Sequence, residues 1–143
     1  TGYKNAWIVV DGKMIQSVSG GGHFGGGMFI NSYDMARFGL LTLRKGNWNG
    51  KQILERSFVE KSLQPRFSDS PEYGYGWWLH QINGKRVFYM RGHLGQFVIV
   101  LPEDDVIIVR LGHLKGKQTK TDPHSNDLYI YIEEALKMIN KKK

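Results

Sequence analysis

The sequence predicts an α+β fold, an antiparallel four-stranded meander with flanking helices, and three observations carry that expectation. Two helical patterns come before residue 65 and a run of strand patterns follows from Tyr75 to Leu111, so helices and strands are segregated along the chain. The strand patterns are joined by short connections, Asn83-Gly84 and Pro102-Glu103-Asp104-Asp105, which suit antiparallel neighbours. Near the end, Leu128, Ile132, Ala135, Leu136 and Ile139 recur at helical spacing and leave one apolar face to lie on the sheet.

Taken in order, Ala6 to Val10 is a short apolar strand, and Asp11-Gly12 tolerates the positive φ of a two-residue hairpin turn before Lys13 to Val18 returns. Ser32 is expected to cap the first long helix, with Asp34 favourably placed against the helix dipole. Met35, Phe38, Leu41 and Leu40 form its apolar face, and Gly46 ends it. Asn47-Trp48-Asn49-Gly50 reads as a turn. A second helix is expected from Ser57, where Glu60 completes a capping box, to a stop before Pro65, with Phe58, Val59 and Leu63 facing the core. Arg66 to Glu72 reads as an exposed loop. The meander strands are expected over Tyr75–Ile82, Lys85–Met90, Phe97–Leu101 and Val106–Leu111, and Ser125 as the cap of the last helix.

With 143 residues, 41% of them hydrophobic, residues 1–143 can form one globular unit with a real core. The chain has no cysteine, so neither a disulfide framework nor a thiolate metal site is available, and either side of a bacterial membrane stays open. No apolar run is long enough for a transmembrane segment, and the first residues lack a secretion-signal pattern. The net charge of +7 includes the terminal Lys141-Lys142-Lys143, and the cluster from Lys115 to Lys120 has no interleaved aromatic residue to stack a base. A solvated basic loop is therefore expected and no nucleic-acid partner. The five histidines show no His-Glu-x-x-His spacing, so no metal site is expected. Nucleotide binding is set aside because no Gly-Lys-Ser/Thr ends the glycine-rich run from Gly20 to Gly27, and no cofactor is expected.

Two stretches stand out as site candidates. In the first, six glycines surround His23 and Phe24, a composition costly to order that suits a backbone passing beside a cavity. In the second, Arg91-Gly92-His93-Leu94-Gly95-Gln96-Phe97, glycines flank His93 at the mouth of an apolar strand. A glycine there marks close approach by a ligand or a neighbouring chain. A β-bulge with an incidentally exposed histidine is the competing reading, and local sequence leaves both open. His80, His113 and His124 read as surface or strand-end residues, and Tyr75, Trp77 and Trp78 as core of the meander.

The segment Gly20–Gly27 with Met28-Phe29-Ile30 and Ser32–Gly39, then Trp48–Leu54, Tyr73-Gly74-Tyr75-Gly76-Trp77-Trp78 and Gly92-His93-Leu94-Gly95-Gln96, occurs in the order seen in serine β-lactamase-related hydrolases. Almost the whole chain resembles that family, which includes class C β-lactamases, penicillin-binding proteins, family VIII esterases and 6-aminohexanoate-dimer hydrolases. The resemblance implies the C-terminal part of a β-lactamase/transpeptidase-like fold, with His93-Leu94-Gly95 as the family's third motif in its esterase-like histidine form. It implies that the amide of Gln96 joins an oxyanion hole, that His93 orients substrate or supports the proton network, and that Gly95 lets the acyl group approach. His23, Phe24 and Leu94 are then pocket walls for a small-molecule ester or amide. The Gln96 side chain is expected to matter less than its amide.

The family's Ser-x-x-Lys is absent, since no serine here has lysine three positions later. Tyr3-Lys4-Asn5 spells Tyr-x-Asn but lies too near the glycine-rich loop for the second motif. The partner implied is therefore an N-terminal remainder of the catalytic domain, and the chain alone is expected to be inactive. The alternative is a non-catalytic binding module that keeps the cleft, at the periplasm or cell envelope.

Overall fold

The computed structural model describes residues 6–10, 12–17, 30–92, 95–112, 124 and 126–140. Strands β1 (Ala6–Val10) and β2 (Lys13–Ser17) form the expected hairpin, with Gly12 at positive φ in its turn. Helix α1 (Ser32–Leu43) follows, then a small ribbon of β3 (Asn47–Trp48) and β4 (Lys51–Gln52), and helix α2 (Arg56–Ser62). The main sheet is the expected meander, β5 (Trp78–Ile82), β6 (Lys85–Gly92), β7 (Gln96–Leu101) and β8 (Val106–Arg110), hydrogen-bonded in sequence order and antiparallel throughout. Helix α3 (Asn126–Asn140) closes the described chain.

Strand β7 is the centre of the core, because Phe97 to Leu101 are all at most 1% exposed. Its period-two alternation divides them between two layers. Phe97, Ile99 and Leu101 join Val87 and Tyr89 under Leu128 and Ile132 of α3. Val100 faces the other way with Phe88, Trp77 and Leu43 of α1. A sheet buried on both faces needs apolar residues at consecutive positions, which is why β7 reads as a continuous apolar run. On the α1 side the approach is close: a Cβ added to Gly39 would lie 2.9 Å from Val98 Cγ1 and 3.0 Å from Ile107 Cγ2.

Several local expectations are corrected. Asn31 caps α1 in place of Ser32, its Oδ1 accepting the Asp34 N–H at 2.9 Å while its Nδ2 donates to Asp34 Oδ2 at 2.7 Å. Phe38 is 44% exposed and stacks on Trp77, and the helix buries Gly39 and Thr42, where the sheet comes nearest. Helix α2 starts at Arg56 with Glu55 as a cap that makes no side-chain bond, so the expected capping box at Ser57 does not form. Val59 and Ser62 are its buried residues, and Phe58 turns outward onto Tyr75.

Strand β5 begins at Trp78, three residues later than expected. The Tyr75 N–H donates to Ser62 O at 2.9 Å and the Gly74 N–H to Trp77 O at 2.8 Å, which ties this backbone to the end of α2 and leaves Tyr75 exposed. Asn47–Gly50 is part of a hairpin rather than a bare turn, with Asn49 and Gly50 both at positive φ. The expected cap Ser125 lies outside the described residues.

Candidate functional site

The β6–β7 turn has the geometry of a three-residue hairpin loop. Gly92 pairs with Gln96 across the strands, the Gly95 N–H donates to Gly92 O at 3.3 Å, and Gly95 has φ +82°. A glycine closing such a loop in the left-handed region avoids the steric cost an L side chain pays there. Gly95 is buried, Gln96 half-buried and Gly92 exposed. Of the sequence-derived candidates, Gly95 and Gln96 are therefore together in this turn, whereas His23, Phe24, His93 and Leu94 lie outside the described residues.

Two side chains tie the turn to the end of β8. Arg110 Nη1 donates to Gly95 O at 2.7 Å. Gln96 Nε2 donates to Gly112 O, and its Oε1 accepts the Gly112 N–H at 3.0 Å. The side-chain amide thus pairs with a peptide group as a neighbouring strand would. The Gln96 side chain thus anchors the chain after β8, beside whatever its amide does. Neither Arg110 nor Gly112 was singled out in the sequence, because both ties span 15 or 16 residues.

A second polar cluster lies on the α3 face of the sheet. Tyr89 Oη and His124 Nδ1 are hydrogen-bonded at 2.6 Å, and both residues are buried. The His80 ring stacks on His124 with centroids 3.9 Å apart, and His80 Nε2 lies 3.1 Å from Tyr129 Oη. Trp78 meets His124 edge-on. The reading of His124 as a surface residue is thereby overturned, since it is 5% exposed, and His80 is half-buried. A signal for His80 was present: with Trp78 and Ile82 it occupies alternate positions of one strand, hence the face that packs on α3. His124 had no such signal, lying outside every strand and helix.

Beside this cluster is a cavity of about 450 Å³ whose walls include Leu63, Pro65, Pro71, Leu79, Phe88 and the two histidines, with Glu72, Gln81 and Arg86 as further polar lining. None of its lining residues carries a hydroxyl or thiol, and none belongs to the Gly92–Gln96 turn. Among the described residues no group of three or more His, Cys, Asp or Glu could hold a metal ion. Nor, among them, is any helix long and apolar enough to cross a membrane.

The shifts in acidity belong to surface pairs. Arg44 grips Asp105 through two bonds, which lowers the Asp105 pKa and raises that of Arg44. The Lys45 ammonium lowers the Glu60 pKa in the same way. These pairs brace the exterior and contribute no reactive group.

The family model for beta-lactamase matches residues 3–129. The chain belongs to the beta-lactamase family. This family is one of hydrolases, so the turn and its sheet belong to a hydrolase-type scaffold. Among solved structures, the chain is similar to a putative 6-aminohexanoate-dimer hydrolase from Bacillus anthracis, at 26% identity and a TM-score of 0.56. That match covers 90% of this chain and 34% of the other, so the chain spans about a third of that protein's length. No curated protein matches the chain.

Proposed function

We propose that this chain is the C-terminal portion of a serine hydrolase that cleaves ester or amide bonds through an acyl-serine intermediate. The chain would contribute the oxyanion-side turn and pocket walls. The observation that carries the reading is the closed Gly92–Gln96 turn at the mouth of the buried strand β7, in a chain of the beta-lactamase family. A serine hydroxyl becomes an effective nucleophile only beside a base, and acylation divides one difficult hydrolysis into two easier steps. The N–H of Gln96 is read as one donor to the oxyanion of the tetrahedral intermediate, a donor already positioned before charge develops. His93 would orient substrate, and Gly95 would leave room for the acyl group. The nucleophile and its base are assigned to the remainder of the gene product, since no serine in this chain has lysine three positions on.

A fluorophosphonate reagent followed by intact mass spectrometry tests this. The full gene product is expected to take one adduct, and this chain alone none. A stoichiometric adduct on any serine of the chain would refute the division of labour, whereas an unlabelled full gene product would favour a binding module that has kept the fold's cleft.

A further inference from the structure

We propose that Arg110 is a positioning residue for the candidate site, holding the Gly95–Gln96 peptide in the orientation that aims the Gln96 N–H. The inference rests on the reading of that N–H as an oxyanion donor. Arg110 is the last residue of β8 and pairs with Phe97 across the strands, so its side chain reaches back to the turn, where Nη1 donates to Gly95 O at 2.7 Å. A trans peptide is planar, with its C=O and N–H pointing in opposite directions. Fixing the Gly95 carbonyl toward β8 therefore fixes the Gln96 N–H toward the β6 side, where Gly92 is exposed.

Such a restraint is needed because glycine populates both halves of φ space, so a peptide flanked by Gly95 can rotate at little cost. The donor is also charged. A guanidinium bond to the carbonyl polarises the whole peptide group and strengthens its N–H as a donor. Arg110 is itself held: its guanidinium lies 5.9 Å from the Tyr131 ring centroid on α3. The Gln96–Gly112 pair restrains the other side of the same peptide. The end of β8 and the first half of α3 thus bear on the turn through one side chain.

The test uses the full gene product with p-nitrophenyl butyrate and follows hydrogen–deuterium exchange in the segment from Gly92 to Phe97. Arg110→Met is expected to lower kcat by about tenfold to a hundredfold with KM within about twofold, as a misaimed catalytic group does. It should also speed exchange in that segment. Added guanidinium ion should restore part of the rate to Arg110→Ala, which a purely structural role would not allow. Unchanged exchange in Arg110→Met, wild-type kcat in that variant, or absent rescue would each overturn the inference. If Arg110→Met does not fold, Arg110→Lys replaces it, keeping charge and stem but losing the planar fork, and wild-type exchange and kcat in that variant would overturn the inference equally. Gln96→Pro separates the two claims. If it is inactive while Arg110→Met is normal, only the positioning role fails, and if it is fully active, the oxyanion reading itself fails.

Discussion

The β6–β7 turn and the His80–His124–Tyr89 cluster both lie on the same strand pair or its neighbours, yet they satisfy polar groups in different ways. In the turn, peptide groups are met within the hairpin, by Gly95 on Gly92, and by the Arg110 side chain arriving from the adjacent strand β8. In the cluster, two aromatic hydroxyls and two imidazoles meet across 35 and 49 residues of sequence, inside the layer between the sheet and α3. The turn is semi-exposed and its glycines permit motion, whereas Tyr89 is wholly buried. A buried polar group loses its hydration on folding and gains nothing unless it is paired, so the cluster concerns stability. The turn concerns the orientation of one peptide.

The largest effect expected from this difference is on rate. Gln96→Pro deletes the N–H read as an oxyanion donor and should cost the full gene product about 3 kcal/mol or more of transition-state stabilisation, roughly a hundredfold in acylation rate. Near-normal acylation by a folded variant would move the oxyanion hole elsewhere. Tyr89→Phe, on the other side of the comparison, leaves His124 without its 2.6 Å partner in a buried layer. A loss of about 1–3 kcal/mol in stability is expected with catalysis unchanged per folded molecule, read from urea denaturation. A stability equal to wild type would mean that the pair is energetically neutral.

Gln96→Ala falls between the two regions, since it removes both bonds to Gly112 while keeping the N–H. A loss of about 1 kcal/mol in stability and a smaller loss of rate than in Gln96→Pro are expected. A rate as low as that of the proline variant would shift the role from the amide to the side chain.

The smallest effect belongs to the β7–β8 turn, where Asp105 sits at φ +55° and pairs with Arg44 in solvent. The folded-state pKa of Asp105 is lowered, chiefly by the Arg44 hydrogen bond, so any stabilisation is present above the unfolded value and lost as pH falls through the folded one. Asn tolerates the left-handed region. Asp105→Asn should therefore differ from wild type only slightly at pH 7, and the difference should start to shrink below about pH 4, the ordinary carboxylate value, and be gone once the pH lies below the lowered folded one, as melting temperatures across pH would report.

Periodicity and turn chemistry made the meander legible. The run Phe97–Leu101, the Asn83-Gly84 dipeptide and the spacing of Leu128 and Ile132 each state a local preference that the fold keeps. Gly95 and Gln96 were legible as site candidates because glycine beside an apolar strand is a local signal too. What the sequence could not determine was any feature in which a group is met by a distant part of the chain. The end of α2 takes the Tyr75 N–H and so delays β5, and Tyr89 draws His124 inside. Arg110 and Gly112 became part of the turn only when β8 lay beside β7. The physical reason is common to all three: a hydrogen bond's net worth depends on which partner is near when water is removed, and only tertiary packing decides that.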